Sequence, residues 1–137
     1  MEQIREDELR NPVRIFFEEK KYSVFDERKL FTRKIDVVAK RRQEIITVEL
    51  KLRAWRRAIQ QACLNLRVSD YAYIALPEDL LSKMDRRLYY DAYINGIGIL
   101  SVNGIVKQII PPEKSKKIQS NLRRSFLKYL REEEDKI

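Results

Sequence analysis

The sequence predicts an α/β domain with a mixed central sheet flanked by helices, in the order helix, strand, strand, strand, helix, strand, plus a C-terminal helix. Three observations carry this. Arg33-Lys34-Ile35-Asp36-Val37-Val38-Ala39 and Glu44-Ile45-Ile46-Thr47-Val48-Glu49-Leu50-Lys51-Leu52 are rich in β-branched residues and separated by a short polar link, as neighbouring strands are. Trp55, Ile59, Ala62, Cys63 and Leu66 then recur at helical spacing before another apolar run at 71–76. A strand, helix, strand succession is a crossover unit, so the strand at 71–76 should run parallel to the one carrying Glu49. At 137 residues and 44% hydrophobic content, the chain suits one domain with a modest core.

Taken in order, residues 2–9 are charged and suit a helical turn or two. Asn11-Pro12 reads as an N-cap followed by proline at the first helical position, which predicts a helix over 12–21 burying Val13, Phe16 and Phe17. A first strand follows at 22–25. With the strands at 33–40 and 44–52 it forms an antiparallel meander. Lys40-Arg41-Arg42-Gln43 suits a hairpin loop, although it lacks an Asn-Gly or Asp-Gly turn signal. Folding back about Arg41 and Arg42 sets Asp36 opposite position 47 to 49. Beyond the crossover, Pro77 stops the fourth strand, 78–93 reads as a helix and 96–102 as a strand, and Asn103-Gly104 turns into a strand at 105–110. Pro111-Pro112 ends the compact body. From residue 114, Ile118, Leu122, Phe126, Tyr129 and Leu130 mark an amphipathic helix with a basic side of Lys116, Lys117, Arg123, Arg124 and Lys128. The expected organisation is a domain over 1–112 and a basic helical extension of it over 113–137.

Strand alternation puts Glu49 and Lys51 on one face, about 7 Å apart, and Val48, Leu50 and Leu52 on the other. Apolar flanks such as Val37-Val38-Ala39 and Ile45-Ile46 imply strands buried on both faces, where an unpaired carboxylate is costly. Two adjacent carboxylates without a counter-charge repel, whereas a hard dication lets both stay ionised. The expected ion is magnesium or manganese, held by Asp36, Glu49 and the backbone carbonyl of Leu50. Lys51 would orient the attacking water and stabilise the charge of a phosphorane-like transition state.

Composition removes most alternatives. The chain has no histidine and one cysteine, Cys63. This excludes Ser-His-Asp and Cys-His machinery, His-ligated zinc and an internal disulfide. Cys63 lies in the apolar stripe of the crossover helix and reads as a core residue. The glycines, Gly96, Gly98 and Gly104, form no phosphate-binding loop. Net charge +8 favours a polyanionic partner, and the absence of a signal-like or membrane-spanning run makes a cytoplasmic location the expectation, with no membrane partner.

Asp36 followed after twelve residues by Glu49-Leu50-Lys51, within this order of elements, resembles the PD-(D/E)XK nuclease superfamily of restriction endonuclease-like and Holliday-junction-resolvase-like proteins. Gln61-Ala62, Ser69-Asp70-Tyr71-Ala72-Tyr73-Ile74-Ala75 and Gly96-Ile97-Gly98-Ile99-Leu100 add to the resemblance, which covers roughly residues 8–102. It implies a restriction endonuclease-like core, with Asp36 and Glu49 as metal ligands, Lys51 as catalytic lysine and Gln61 as an accessory group. It also implies an acidic residue from the first helix, for which Glu8 is the choice and Glu18 and Glu19 are alternatives. Asp36 follows Ile35 where the family pattern has proline.

DNA contacts are expected from Lys34, Arg53, Arg56 and Arg57 and from the tip residues Lys40, Arg41 and Arg42, because lysine and arginine neutralise phosphates whatever the sequence. The expected activity is structure-selective or nonspecific DNA hydrolysis, with a homodimer or a larger repair or defence complex as further partners. The competing reading is a catalytically inactive nucleic-acid-binding module on the same scaffold. A third is a structural protein with a thermophile's surface charge.

Overall fold

The computed structural model describes residues 5–83 and 86–136. Its core is a six-stranded mixed sheet in chain order, β1 (Ser23–Leu30), β2 (Arg33–Arg41), β3 (Glu44–Leu50), β4 (Tyr71–Pro77), β5 (Gly98–Asn103) and β6 (Ile105–Ile110). The first three strands form the expected antiparallel meander. β3, β4 and β5 run parallel, and β6 returns antiparallel. Three helices surround the parallel section: α2 (Trp55–Asn65) is the crossover from β3 to β4, and α3 (Glu78–Lys83) and α4 (Arg86–Ile94) lead to β5.

The sheet is covered on both faces. On one, Leu9, Val13 and Phe17 of α1 (Glu6–Glu18) pack on Val37, Ala39, Val48, Leu50 and Ala75. On the other, Ala58, Ile59 and Ala62 of α2 meet Ala72, Ile74 and Ile99. Beside them, Phe126 and Leu130 of α5 (Ser120–Asp135) seal Phe25, Ile35, Val38 and Ile45. This double cover explains why β3 and β4 are nearly continuous apolar runs. Gly98 is required by close approach, since a Cβ there would lie 2.6 Å from Cδ1 of Tyr73.

Several boundaries differ from the sequence reading. Pro12 does not open α1; it lies inside a helix that begins at Glu6. The acidic first turn Glu6, Asp7 and Glu8 complements the helix dipole, and burial of Leu9, Val13 and Phe17 on one stripe outweighs the backbone bond that proline cannot donate to Glu8. β1 continues through Asp26–Leu30, a charged stretch whose alternation is hidden because its outer side is solvated. The helix expected over 78–93 is two helices, with residues 84 and 85 outside the described part, as are residues 2–4 of the charged N-terminal segment. Cys63 is half-buried at the edge of the α2 cluster, and burial pushes its thiol pKa up. Among the described residues no helix is long and apolar enough to cross a membrane.

Candidate active site

The β2–β3 hairpin sets the centre of the site. Its turn is tighter than the sequence suggests, with Arg41 paired to Glu44 and only Arg42 and Gln43 between them, Arg42 taking φ +57°. The resulting register runs to Val37 paired with Val48, which leaves Asp36 and Glu49 next to the last regular pair. Glu49 lies on the α2 side, where Asn65 reaches it, and Asp36 and Lys51 are near enough for their charges to act on its carboxyl. The regular ladder ends at Val37 and Val48. The next β3 amide directed at β2, that of Leu50, donates instead to Oδ2 of Asp36 at 2.9 Å.

Glu49 is 2% exposed. Asn65 in α2 donates Nδ2 to its Oε2 at 2.9 Å, and Nη1 of Arg33 lies 3.6 Å from the same oxygen. Nη2 of Arg33 donates to Oδ1 of Asn65 at 2.5 Å, while Nη1 has no hydrogen-bond partner among the described residues. Gln61 stands one turn before Asn65 on the same helix face, and its buried Oε1 is likewise without a partner. Arg10 from α1 donates Nη1 to the Asp36 carbonyl at 2.6 Å and lies 3.6 Å from Glu27.

Charge follows from this geometry. The Glu49 carboxyl is raised to about 7, by burial first and by the charge of Asp36 second, against the downward pull of Asn65, Arg33 and Lys51. Burial also raises Asp36, opposed by the Leu50 amide, Arg10 and Lys51 and reinforced by Glu27. Two neighbouring carboxyls whose pKa values burial raises form a donor set suited to a hard dication. Among the described residues no cluster of three or more acidic, His or Cys side chains is arranged to hold a metal. The set available is therefore Asp36, Glu49 and the Leu50 carbonyl. Magnesium is commonly held by one or two carboxylates plus water and substrate oxygens.

The structure does not bring Glu8 to this centre. Glu8 is on α1, which packs on the opposite face of the sheet, and it lines a hollow of about 180 Å³ with Pro77, Glu78, Asp79, Val102 and Gly104. Glu18 and Glu19, at the far end of α1, are exposed and also stand apart from the centre. The basic residues divide into two groups. Lys34, Arg53, Arg56 and Arg57 are exposed near the end of the sheet where Asp36 and Glu49 lie, Arg56 stacking on the Trp55 ring at 4.6 Å. Arg41 and Arg42 are at the other end of the hairpin, five or more residues from Asp36, or roughly 17 Å along the strand. Arg41 is engaged by its own chain: it donates to the Lys20 carbonyl at 2.8 Å and lies over the Tyr22 ring at 4.3 Å.

Arg33, Asn65, Arg10 and Glu27 did not emerge from the sequence. Asn65 had a signal available, four residues after Gln61 on the crossover helix. Glu27 lacked one, because its position depends on the unforeseen length of β1, and Arg33 lacked one because its contact is with Asn65 and Glu49 on distant elements.

No protein-family model matches the chain, and no curated protein sequence matches it. Among solved structures it is similar to Pyrococcus furiosus SfsA in complex with Ca2+, with a TM-score of 0.42 and 12% sequence identity, over 76% of this chain and 64% of that chain's length.

Proposed function

We propose that the protein is a magnesium- or manganese-dependent nuclease that hydrolyses DNA phosphodiester bonds. The observation that carries this reading is the proximity of Asp36 to Glu49, two carboxyls whose pKa values burial raises, with Lys51 near enough to act on both. Asp36, Glu49 and the Leu50 carbonyl are the ligands in this reading. A bound dication supplies Lewis-acid activation of water and neutralises phosphate charge. The Asn65 amide holds Glu49 in one orientation through its bond to Oε2. Lys51 donates to the attacking water and to the phosphate oxygen where negative charge grows. Gln61, with its buried Oε1 uncommitted, would accept a hydrogen bond from that water and help to orient it. Lys34, Arg53, Arg56 and Arg57 hold the flanking phosphates.

The test is incubation with labelled duplex, single-stranded, flap and four-way-junction DNA in magnesium, manganese or EDTA, beside Glu49→Ala. Metal-dependent cutting lost in the variant is the expected result. Absence of cutting under every condition, with DNA still bound equally by both proteins, would reject the reading.

One observation favours the inactive DNA-binding module instead. Arg33 lies against Glu49 and supplies the counter-charge that a cation otherwise provides. Under that reading, titrating manganese into wild type and Arg33→Ala shows no binding in the first and binding in the second.

A further inference from the structure

The turn between β1 and β2 is costly in three separate ways. Leu30 pairs with Arg33, so the loop is Phe31-Thr32 alone, and Phe31 takes φ +59°. A two-residue hairpin with a positive φ at its first central position ordinarily calls for glycine, and a bulky aromatic there is strained. The ring is nonetheless turned to solvent, with the residue 65% exposed. Next to the tip, Lys29 stands directly opposite Lys34. Both are exposed, neither has an ion-pair partner among the described residues, and like charges facing across strands are destabilising. A third cation, the Arg67 guanidinium, lies 5.6 Å from the Phe31 ring centroid.

Strain, an exposed ring and opposed charges at one tip violate local rules, with only the Arg67 contact on the Phe31 ring to offset them, which is the pattern of a functional element. An aromatic face among unpaired cations matches the chemistry of a nucleic-acid strand whose bases are free to stack. We infer that the β1–β2 tip binds unpaired nucleotides, with Phe31 stacking on a base while Lys29 and Lys34 take the adjoining phosphates. Phe31 is five residues before Asp36, in the turn that leads into β2, at most roughly 17 Å away. Unpaired nucleotides held there are delivered to the carboxylate centre, so the substrate class becomes single-stranded or locally unpaired DNA. That last step rests on the nuclease reading; the stacking itself does not.

The test uses the full chain in EDTA with single-stranded and duplex oligonucleotides carrying 2-aminopurine, for wild type, Phe31→Gly, Phe31→Trp and Lys29→Ala/Lys34→Ala. Glycine suits this turn better than phenylalanine, so Phe31→Gly keeps its thermal midpoint and any binding loss is not unfolding. Its expected effect is a fall of about tenfold or more in single-strand affinity, unchanged duplex affinity and an unchanged salt slope. Phe31→Trp retains binding and the 2-aminopurine fluorescence change. The double lysine variant lowers the salt slope by about one to two. Equal single-strand affinity in wild type and Phe31→Gly, or no nucleic-acid binding by wild type, would overturn the proposal. The two readings fail separately. Stacking that depends on Phe31 in a protein that never cuts leaves this inference standing, whereas Glu49-dependent cutting with single-strand binding indifferent to Phe31 leaves only the nuclease.

Discussion

At the scale of single residues, burial sets the behaviour of Glu49. Its carboxyl is held at about 7 in the folded chain against an ordinary 4.5. A proton bound more tightly in the folded state makes a contribution that is fully present below about pH 4.5 and is lost as pH rises through about 7. The size is roughly 3 kcal/mol. Asp36 shifts in the same direction and adds to it. In EDTA, the thermal midpoint of the wild type should therefore fall from about pH 5 to about pH 8 by more than that of Glu49→Gln, which has no such proton to lose. Magnesium or manganese should recover the midpoint at the alkaline end in the wild type alone, because a ligand of the folded state stabilises it by mass action. Parallel pH profiles for the two proteins would remove Glu49 as the titrating group.

At the scale of elements, α1 shows where local rules lose to packing. Asn11-Pro12 carries a good start signal, yet Leu9 is buried with Val13 and Phe17, and a helix that began at Pro12 would leave Leu9 off that stripe. The helix therefore runs through proline and forgoes one backbone bond. Pro12→Ala restores the donor for the Glu8 carbonyl and relieves the ring clash, while loosening the unfolded chain. The expected net gain is about 1 to 2 kcal/mol, measured by urea unfolding. A loss would mean that Pro12 is itself required by packing against its neighbours. The hairpins at the two ends of β2 differ in kind. Arg42 turns one with a solvated charge, and Phe31 turns the other with a strained aromatic, which is why the second is the one assigned a ligand.

At the scale of the whole molecule, α5 completes the core. Phe126 and Leu130 cover Phe25, Ile35, Val38 and Ile45, and Arg123 ties the helix to the Val68 and Gln43 carbonyls and to Asp70. The ion pair of Lys40 with Glu134, at 2.9 Å, closes the same seam. Phe126→Ala should cost about 3 to 5 kcal/mol in denaturant unfolding, as expected for an aromatic removed from a sealed core. A chain ended after Pro112 should lose cooperative unfolding, since one face of β1 to β3 would be bare. Retention of a sharp transition would show that the helix is an appendage.

Much of the fold and the centre of the site were legible because they rest on short-range rules. Strand alternation, a short polar link and a crossover helix are enough to bring Asp36 and Lys51 near Glu49, and β3 runs parallel to β4 as that logic requires. The composition alone removed every histidine-based mechanism. What only the tertiary structure decided lies where distant segments meet. Glu8 lines a hollow beside Pro77, Glu78 and Val102 and is not clustered with Asp36 and Glu49, and Arg41 is spent on Tyr22 and Lys20. Arg33 and Asn65 converge on Glu49 from positions 16 residues away on either side in the sequence. Local periodicity records which face a side chain occupies within its own element, but the pairing of faces between elements is set by burial of the whole chain, and that is expressed only once the sheet is covered.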